Sequence, residues 1–137
     1  MELKCHILDW VWNSEIFSSN LLNYFLLLGV YLADDTASLV KYAISEQNYL
    51  MIDTAEFYQN EKEVGDGIQN SNKARDSIFI TSKLFSTSGG RNECIKKLNT
   101  CLKNLKSNYV DQYLLHAPQG GKVLECYDAM LDLQKEG

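Results

Sequence analysis

The sequence has 137 residues, of which 45% are hydrophobic and 23% are charged, the composition of a soluble globular protein with a single core. Its formal net charge is −5 and no basic cluster with interleaved aromatic residues occurs, which argues against a nucleic-acid partner. The four cysteines form no C-x-x-C pair and the two histidines lie far apart, so no metal site is expected, and the cysteines are interpreted as thiols in a reducing cytoplasm.

The first 25 residues have no clear period and are interpreted as an atypical N-terminal segment. The apolar run LLNYFLLLGVYLA at 21–33, which begins within this segment, has the length of a signal-peptide core, and a targeting segment is the alternative. However, the run comes after acidic residues without a basic lead-in, and a membrane-spanning helix needs about 20 apolar residues. A buried strand around Leu26–Leu32 is therefore predicted, with no membrane association.

The next segment predicts a helix, a strand and a second helix. Asp34 and Asp35 can cap the first helix, whose apolar residues recur at helical spacing: Ala37, Val40, Ala43 and Ile44. Tyr49–Asp53 is a short apolar strand. Asn60 can cap the second helix, which carries favourable acidic residues in its first turn and a short apolar side: Glu61, Glu63, Val64 and Ile68. Its two glycines, Gly65 and Gly67, are expected to weaken it.

The remaining chain continues the alternation. Ser77–Ser82 mixes β-branched and aromatic residues and predicts a strand, followed by a flexible Ser-Gly-Gly loop. The strongest helical pattern of the chain comes next, at Cys94, Ile95, Leu98, Cys101, Leu102 and Leu105. Tyr109–His116 predicts a fourth strand, ended by Pro118. A last helix, stopped by Gly137, is predicted from the apolar residues Val123, Tyr127, Met130 and Leu131.

Strands and helices thus alternate four times, which predicts an α/β fold with parallel strands covered by helices. No G-x-G-x-x-G motif follows the first strand and no P-loop occurs, so the sequence carries neither common nucleotide-binding motif. Two architectures stay open at this point, a small open sheet or a part of a (β/α)8 barrel.

Polar side chains stand where three successive strands end. Asp53 ends the second strand, Lys83 the third and His116 the fourth, while Tyr58 lies in the loop after Asp53. Parallel strands bring their carboxyl ends to one face, which is where βα enzymes carry their chemistry. Taken singly, these residues are more often a turn or cap, a solvated lysine, a structural histidine and a packed ring. Their joint placement favours an active site.

The chain also resembles the aldo-keto reductase family from about Leu26 to Gly137. IDTAEFYQNEKEVGDGI resembles the family's Asp-Thr-Ala…Tyr-x-Asn-Glu…Val-Gly…Ile signature, which is long and specific. FITSKLF and LKNLKSNYVDQYLLHAP resemble two further family segments. The chain departs from the family pattern at Leu27, where glycine is frequent, and at Phe85 and Ala117, where tryptophan is frequent.

Carried over by position, the family's catalytic tetrad falls on Asp53, Tyr58, Lys83 and His116. The resemblance implies NADPH as the cofactor and reduction of small aldehydes or ketones, with Tyr58 as the proton donor. A phenol is a weak acid at neutral pH, and the Lys83 ammonium, held by Asp53, would favour its phenolate. His116 would hold the carbonyl oxygen. Cofactor contacts are implied for Gly29, Val30, Tyr31 and Asp53, and substrate contacts for Tyr31, His116 and Phe85.

On this resemblance, residues 26–137 are the N-terminal half of a reductase domain of (β/α)8 TIM-barrel type, truncated to about four βα units. Such barrels need about 250 residues, and the resemblance places the contacts to the carboxamide and the 2′-phosphate of NADPH in the other half. These 137 residues alone are therefore expected to bind NADPH weakly. They are also expected to self-associate, through open sheet edges and an inner face assigned to Ile52, Phe79, Ile80 and Leu114.

Two alternatives remain beside the reductase. The first is a catalytically silent half barrel that acts as an interaction protein. The second is an unrelated barrel hydrolase that uses Asp53 and Glu56 as an acid/base pair.

Overall fold

The computed structural model describes residues 27–31 and 33–136. Within them, strands and helices alternate: β1 Leu27–Gly29, α1 Thr36–Glu46, β2 Met51–Asp53, α2 Glu61–Asn70, β3 Phe79–Leu84, α3 Gly90–Asn104, β4 Gln112–Leu115 and α4 Val123–Glu136. Single turns of 3₁₀ helix precede α2 and β3, at Glu56–Tyr58 and Arg75–Ser77. The atypical N-terminal segment, Leu32 and the predicted helix stop at Gly137 lie outside the described residues.

The four strands form one parallel sheet in the order β1-β2-β3-β4. In this sheet Gly29 is the partner of Asp53, Asp53 of Thr81, and Lys83 of Leu114. Each strand is followed by a helix, so the chain makes four βα units with the parallel connectivity of a TIM barrel. The predicted fold class, a half barrel of four such units, is confirmed.

The helices cover one face of the sheet and bury a continuous core there. Ile52, Ile80 and Tyr113 are at most 2% exposed and pack among residues of all four helices: Val40, Ile44, Val64, Leu98 and Met130. Because successive strand residues point to opposite faces, Asp53 and Lys83 lie on the other, inner face. The prediction that Ile52 and Ile80 lie on the inner face is therefore wrong. Ile52 directly precedes Asp53 and Ile80 lies three residues before Lys83, so both side chains point to the face that the helices cover.

The strand and helix limits follow local chemistry but differ from the predictions in several places. β1 ends at Gly29, β2 begins at Met51 and β4 runs only from Gln112 to Leu115, so these three strands are shorter than predicted. β3 begins two residues later than predicted and runs through Lys83, because Arg75–Ser77 forms a 3₁₀ turn. The predicted Ser-Gly-Gly loop is shorter, since Gly90 adopts φ 63° as the first residue of α3. In α4 the packed residues are Cys126, Ala129 and Met130, whereas Tyr127 is 39% exposed.

The glycines of α2 permit close packing. A Cβ at Gly67 would lie 2.6 Å from the carbonyl oxygen of Ala37 and 2.7 Å from the Cβ of Val40, both in α1. A Cβ at Gly65 would lie 2.6 Å from the carbonyl oxygen of Asn104 at the end of α3. The residues predicted to weaken this helix thus let α1 and α3 approach its backbone.

Three buried cysteines also belong to the core. Cys94, Cys101 and Cys126 are at most 2% exposed, as expected of small apolar core residues. Burial raises the pKa of the Cys101 thiol strongly, with the negative charge of Glu61 as the next cause.

Over residues 27–31 and 33–136, no helix combines the length and apolar character that crossing a bilayer requires.

Candidate active site

An ion pair between Lys83 and Asp53 lies at the carboxyl end of the sheet. The Lys83 Nζ donates hydrogen bonds to Asp53 Oδ1 at 2.6 Å and to the carbonyl oxygen of Thr54 at 3.0 Å. Asp53 stands beside Thr81 in the sheet register, and Lys83 follows two residues later on the same face. The two side chains are only 22% and 14% exposed, so the pair is shielded from water and held at fixed geometry.

Tyr58 reaches this pair from the loop after β2. The one-turn 3₁₀ helix Glu56–Tyr58 is closed by a hydrogen bond from the Tyr58 N–H to the carbonyl oxygen of Ala55 at 3.0 Å. Gln59, with φ 55° in the left-handed region, ends the turn. The chain thereby folds back over the sheet, and the Lys83 Nζ lies 5.1 Å from the centroid of the Tyr58 ring.

His116 completes the group from the end of β4. Its backbone N–H donates to the carbonyl oxygen of Leu84 at 2.9 Å, which fixes His116 beside the end of β3. Its ring stands edge-on to Tyr58, with centroids 5.7 Å apart and planes at 84°. Its Nδ1 is buried and has no hydrogen-bond partner among the described residues. Most buried polar side-chain atoms have a hydrogen-bond partner, so this nitrogen is an exception.

An aromatic rim surrounds the Tyr58 and His116 rings. Phe57 stacks on Phe85 at 4.8 Å and lies 6.2 Å from Tyr31 and 6.0 Å from His116, measured between ring centroids. Tyr31 is 53% exposed and Phe57 46% exposed, so both present ring surface to solvent. Sequence reasoning had placed Tyr31 and Phe85 here but missed Phe57. An aromatic residue directly before the candidate acid Tyr58, in a polar turn, was the available signal.

The loops after β1 and β2 are tied together by Asn60. Its side chain donates to the carbonyl oxygen of Val30 at 2.7 Å and accepts from Thr54 Oγ1 at 2.8 Å. Asn60 occupies the predicted N-cap position of α2, but no cap hydrogen bond uses its side chain. Val30 is completely buried in the hydrophobic core, so its side chain and its carbonyl both hold this loop. Gly29 has open space on its inner side, where a Cβ would meet nothing within 4 Å.

The second carboxylate of the region, Glu56, turns away from the ion pair. Its Oε2 accepts from the Phe85 N–H at 3.0 Å, and its Oε1 accepts from the Lys97 ammonium. Each carboxylate thus has its own lysine, Asp53 with Lys83 and Glu56 with Lys97. This arrangement does not favour an acid/base pair that shares one hydrolytic water.

The site therefore combines a phenol, an ammonium fixed by a carboxylate, and an imidazole. Such a set can transfer a proton to an oxygen that gains negative charge, and it can orient that oxygen. The open space beside Gly29 is consistent with a flat ring bound at this rim. Within the described ranges, no three His, Cys, Asp or Glu side chains gather in a way that could hold a metal ion.

Comparison with known proteins gives concordant matches. The model of the aldo/keto reductase family matches residues 28–137. Morphine 6-dehydrogenase of Pseudomonas putida is 44% identical over 93 residues, which are 66% of this chain and 31% of that protein. Glyoxal reductase of Bacillus subtilis is 39% identical over 98 residues, which are 72% of this chain and 35% of that protein.

Solved structures agree with these relatives. The aldo-keto reductase MGS-M4, from a deep-sea metagenome library, superposes with a TM-score of 0.75 at 40% identity. An aldo/keto reductase of Brucella melitensis also gives 0.75, at 38% identity. The superpositions cover 82% of this chain but 42% and 44% of those chains. The chain thus spans less than half the length of each relative named here.

Proposed function

The chain belongs to the aldo/keto reductase family, and on that premise we propose that it forms the proton-transfer half of a reductase that converts small aldehydes or ketones to alcohols with NADPH. The observation that carries the proposal is the Lys83–Asp53 ion pair beneath the Tyr58 ring, with the His116 ring at its edge. One relative is named a glyoxal reductase and others are named methylglyoxal reductases. A reactive dicarbonyl is therefore the first substrate to test.

Each residue of the group has a separate role in this proposal. NADPH, when bound, supplies the hydride that adds to the carbonyl carbon. Tyr58 gives its phenolic proton to the carbonyl oxygen as that oxygen becomes negative. The positive charge of Lys83 attracts the negative charge left on the Tyr58 oxygen, and Asp53 holds the ammonium in place. His116 holds the oxygen through a ring nitrogen and so aligns the carbonyl.

In this proposal, NADPH and the carbonyl substrate both bind at the aromatic rim. Gly29, Tyr31 and Asp53 would contact the nicotinamide end of NADPH, because Gly29 leaves free space beside Asp53 in the sheet register. Buried Val30 would support this loop through its bond to Asn60. Tyr31, Phe85 and His116 would line the substrate side, together with Phe57, and their apolar faces suit a small carbonyl compound.

The experiment tests Tyr58 in a complete barrel. Residues 28–137 replace the matching segment of the Bacillus glyoxal reductase, and oxidation of NADPH by methylglyoxal is followed by absorbance. Tyr58→Phe should abolish turnover while leaving NADPH binding unchanged, because only the proton donor is removed. The matched control is Tyr42→Phe, since Tyr42 is a 55% exposed residue of α1. Retained turnover in a folded Tyr58→Phe chimera would refute the proton-donor role.

One observation favours a second candidate function: the two outer strands of the described sheet each have an unpaired edge. Among the described residues, β1 pairs only with β2 and β4 only with β3. Unpaired strand edges are templates for association, so a catalytically silent half barrel could serve as an interaction protein. Aldehyde-dependent oxidation of NADPH by the 137-residue chain itself would exclude the silent alternative.

A further inference from the structure

A single carboxylate connects the turn that bears Tyr58 to two other elements. Glu56 is the first residue of the 3₁₀ turn Glu56–Tyr58. Its Oε2 accepts the Phe85 N–H at 3.0 Å, just beyond the end of β3, and its Oε1 accepts the Lys97 ammonium from α3. Phe85 follows Lys83 by two residues, so this bond is made next to the candidate proton-transfer group.

The turn needs such an external contact. Its internal hydrogen bonds run from the Tyr58 N–H to Ala55 and from the Gln59 N–H to Glu56. These bonds set the shape of the turn, but they join neighbours in the chain and leave its position over the sheet undetermined. On its far side, Asn60 binds the loop after β1. On its near side, the bonds of Glu56 and the stacking of Phe57 on Phe85 hold it to β3.

The chemistry of the contact suits a fixing role. A carboxylate that accepts a backbone N–H makes a charge-assisted hydrogen bond, stronger than a neutral one. Lys97 is 39% exposed, so its ion pair alone contributes little, but it holds the carboxylate in the orientation that reaches Phe85. The hydrogen bond to Glu56 raises the pKa of Lys97, in agreement with an engaged ammonium.

From these contacts we propose that Glu56 is a positioning residue, which holds Tyr58 over Lys83 by binding the Phe85 N–H with one carboxylate oxygen and Lys97 with the other. The inference rests on the role proposed for Tyr58. It also gives the second carboxylate of this region a function other than acid/base chemistry.

Nuclear Overhauser spectra of the 137-residue chain test this placement without any turnover. Wild type should show cross-peaks between the Tyr58 and His116 rings and between the Phe57 and Phe85 rings, whose centroids lie 5.7 Å and 4.8 Å apart. Glu56→Ala should lose both cross-peaks, and the Phe85 amide should exchange faster with solvent. The matched control is Glu93→Ala, which removes a carboxylate of α3 that pairs with exposed Lys96.

Graded variants separate positioning from general stability. Glu56→Gln keeps an acceptor for Phe85 but loses the lysine partner, so its cross-peaks should weaken less than those of Glu56→Ala. Lys97→Met should resemble Glu56→Gln. If circular dichroism shows that Glu56→Ala does not fold, the folded Glu56→Gln variant is the test. A shifted Phe85 amide resonance and weakened cross-peaks in that variant would support the positioning role. Wild-type spectra in the folded glutamate variants would overturn the proposal.

Failure of this inference and failure of the proposed function can be told apart. The spectra report where the Tyr58 ring lies whether or not the protein reduces carbonyls. In the active chimera, Glu56→Ala should lower kcat more than it changes KM, because the phenol acts in proton transfer rather than in substrate binding. A rise in KM with kcat unchanged would contradict the positioning role even in a working enzyme.

Discussion

Gly67→Ala sets two physical effects against each other, and the structure decides which prevails. In the interior of an exposed helix this substitution would stabilise by about 1 kcal/mol, because alanine restricts the unfolded chain. Here the new Cβ would lie 2.6 Å from the Ala37 carbonyl oxygen and 2.7 Å from the Val40 Cβ. Carbon atoms pack at about 3.5–4.0 Å, so α1 and α2 would have to move apart by roughly 1 Å.

Neither clashing atom can rotate away, since one belongs to the backbone and the other is a Cβ held in the core. Overpacking of this kind costs about 1–3 kcal/mol, more than the helical gain. We therefore expect a net loss of about 1 kcal/mol, which in a domain of this size lowers Tm by about 3–4 °C. Urea and thermal denaturation followed by circular dichroism measure it.

The control for this experiment is Gly29→Ala, where a Cβ meets nothing within 4 Å. Its stability should stay within about 0.5 kcal/mol of wild type. A Gly67→Ala variant as stable as wild type, or more stable, would refute the packing argument. Helix propensity would then outweigh the contact between the two helices.

Three further predictions concern pH, thiol reactivity and assembly. The Glu56 hydrogen bond raises the pKa of Lys97 above 10.5. The free energy of unfolding of wild type should therefore exceed that of Lys97→Met at neutral pH, and this difference should disappear only as pH rises through the raised pKa. Urea titrations across alkaline pH check it, and loss of the difference near neutrality would contradict it. Burial raises the pKa of Cys101, so iodoacetamide should label it slowly until urea is added; rapid labelling of the folded chain would oppose this. The 137-residue chain alone should bind NADPH weakly and sediment as more than a monomer, whereas micromolar binding by a monomer would show otherwise.

Local signals in the sequence predicted the parts of this fold that depend on neighbouring residues. Asp35 was expected to cap α1, and its side chain accepts from the Ser38 N–H at 3.1 Å, three residues away. Alternation of short apolar runs predicted the four βα units, because each run and each helix is encoded within its own segment. The arrangement of Asp53 and Lys83 on one face needed only the parity of two strands in register.

Contacts between distant residues were not predictable in the same way. Asn60 was placed at the correct position, but its partner Val30 lies 30 residues earlier. Glu61 was expected only as a favourable charge in the first turn of α2. It is instead 6% exposed and accepts hydrogen bonds from Ser82 and Asn104, 21 and 43 residues later. The exposure of Tyr127 likewise depends on how α4 packs on α3, and no periodicity within α4 specifies that.

The sheet order β1-β2-β3-β4 has a consequence for biosynthesis. Each strand after β1 pairs with the one made immediately before it, so among the described units only β1 has to wait for a later partner. On the ribosome, which delivers the N-terminal part first, each βα unit can add to the edge already formed. The Asp53–Lys83 pair can close as soon as β3 emerges, and His116 can join it one unit later. The group proposed for proton transfer would thus assemble in order during translation, before any residue downstream of His116 is needed.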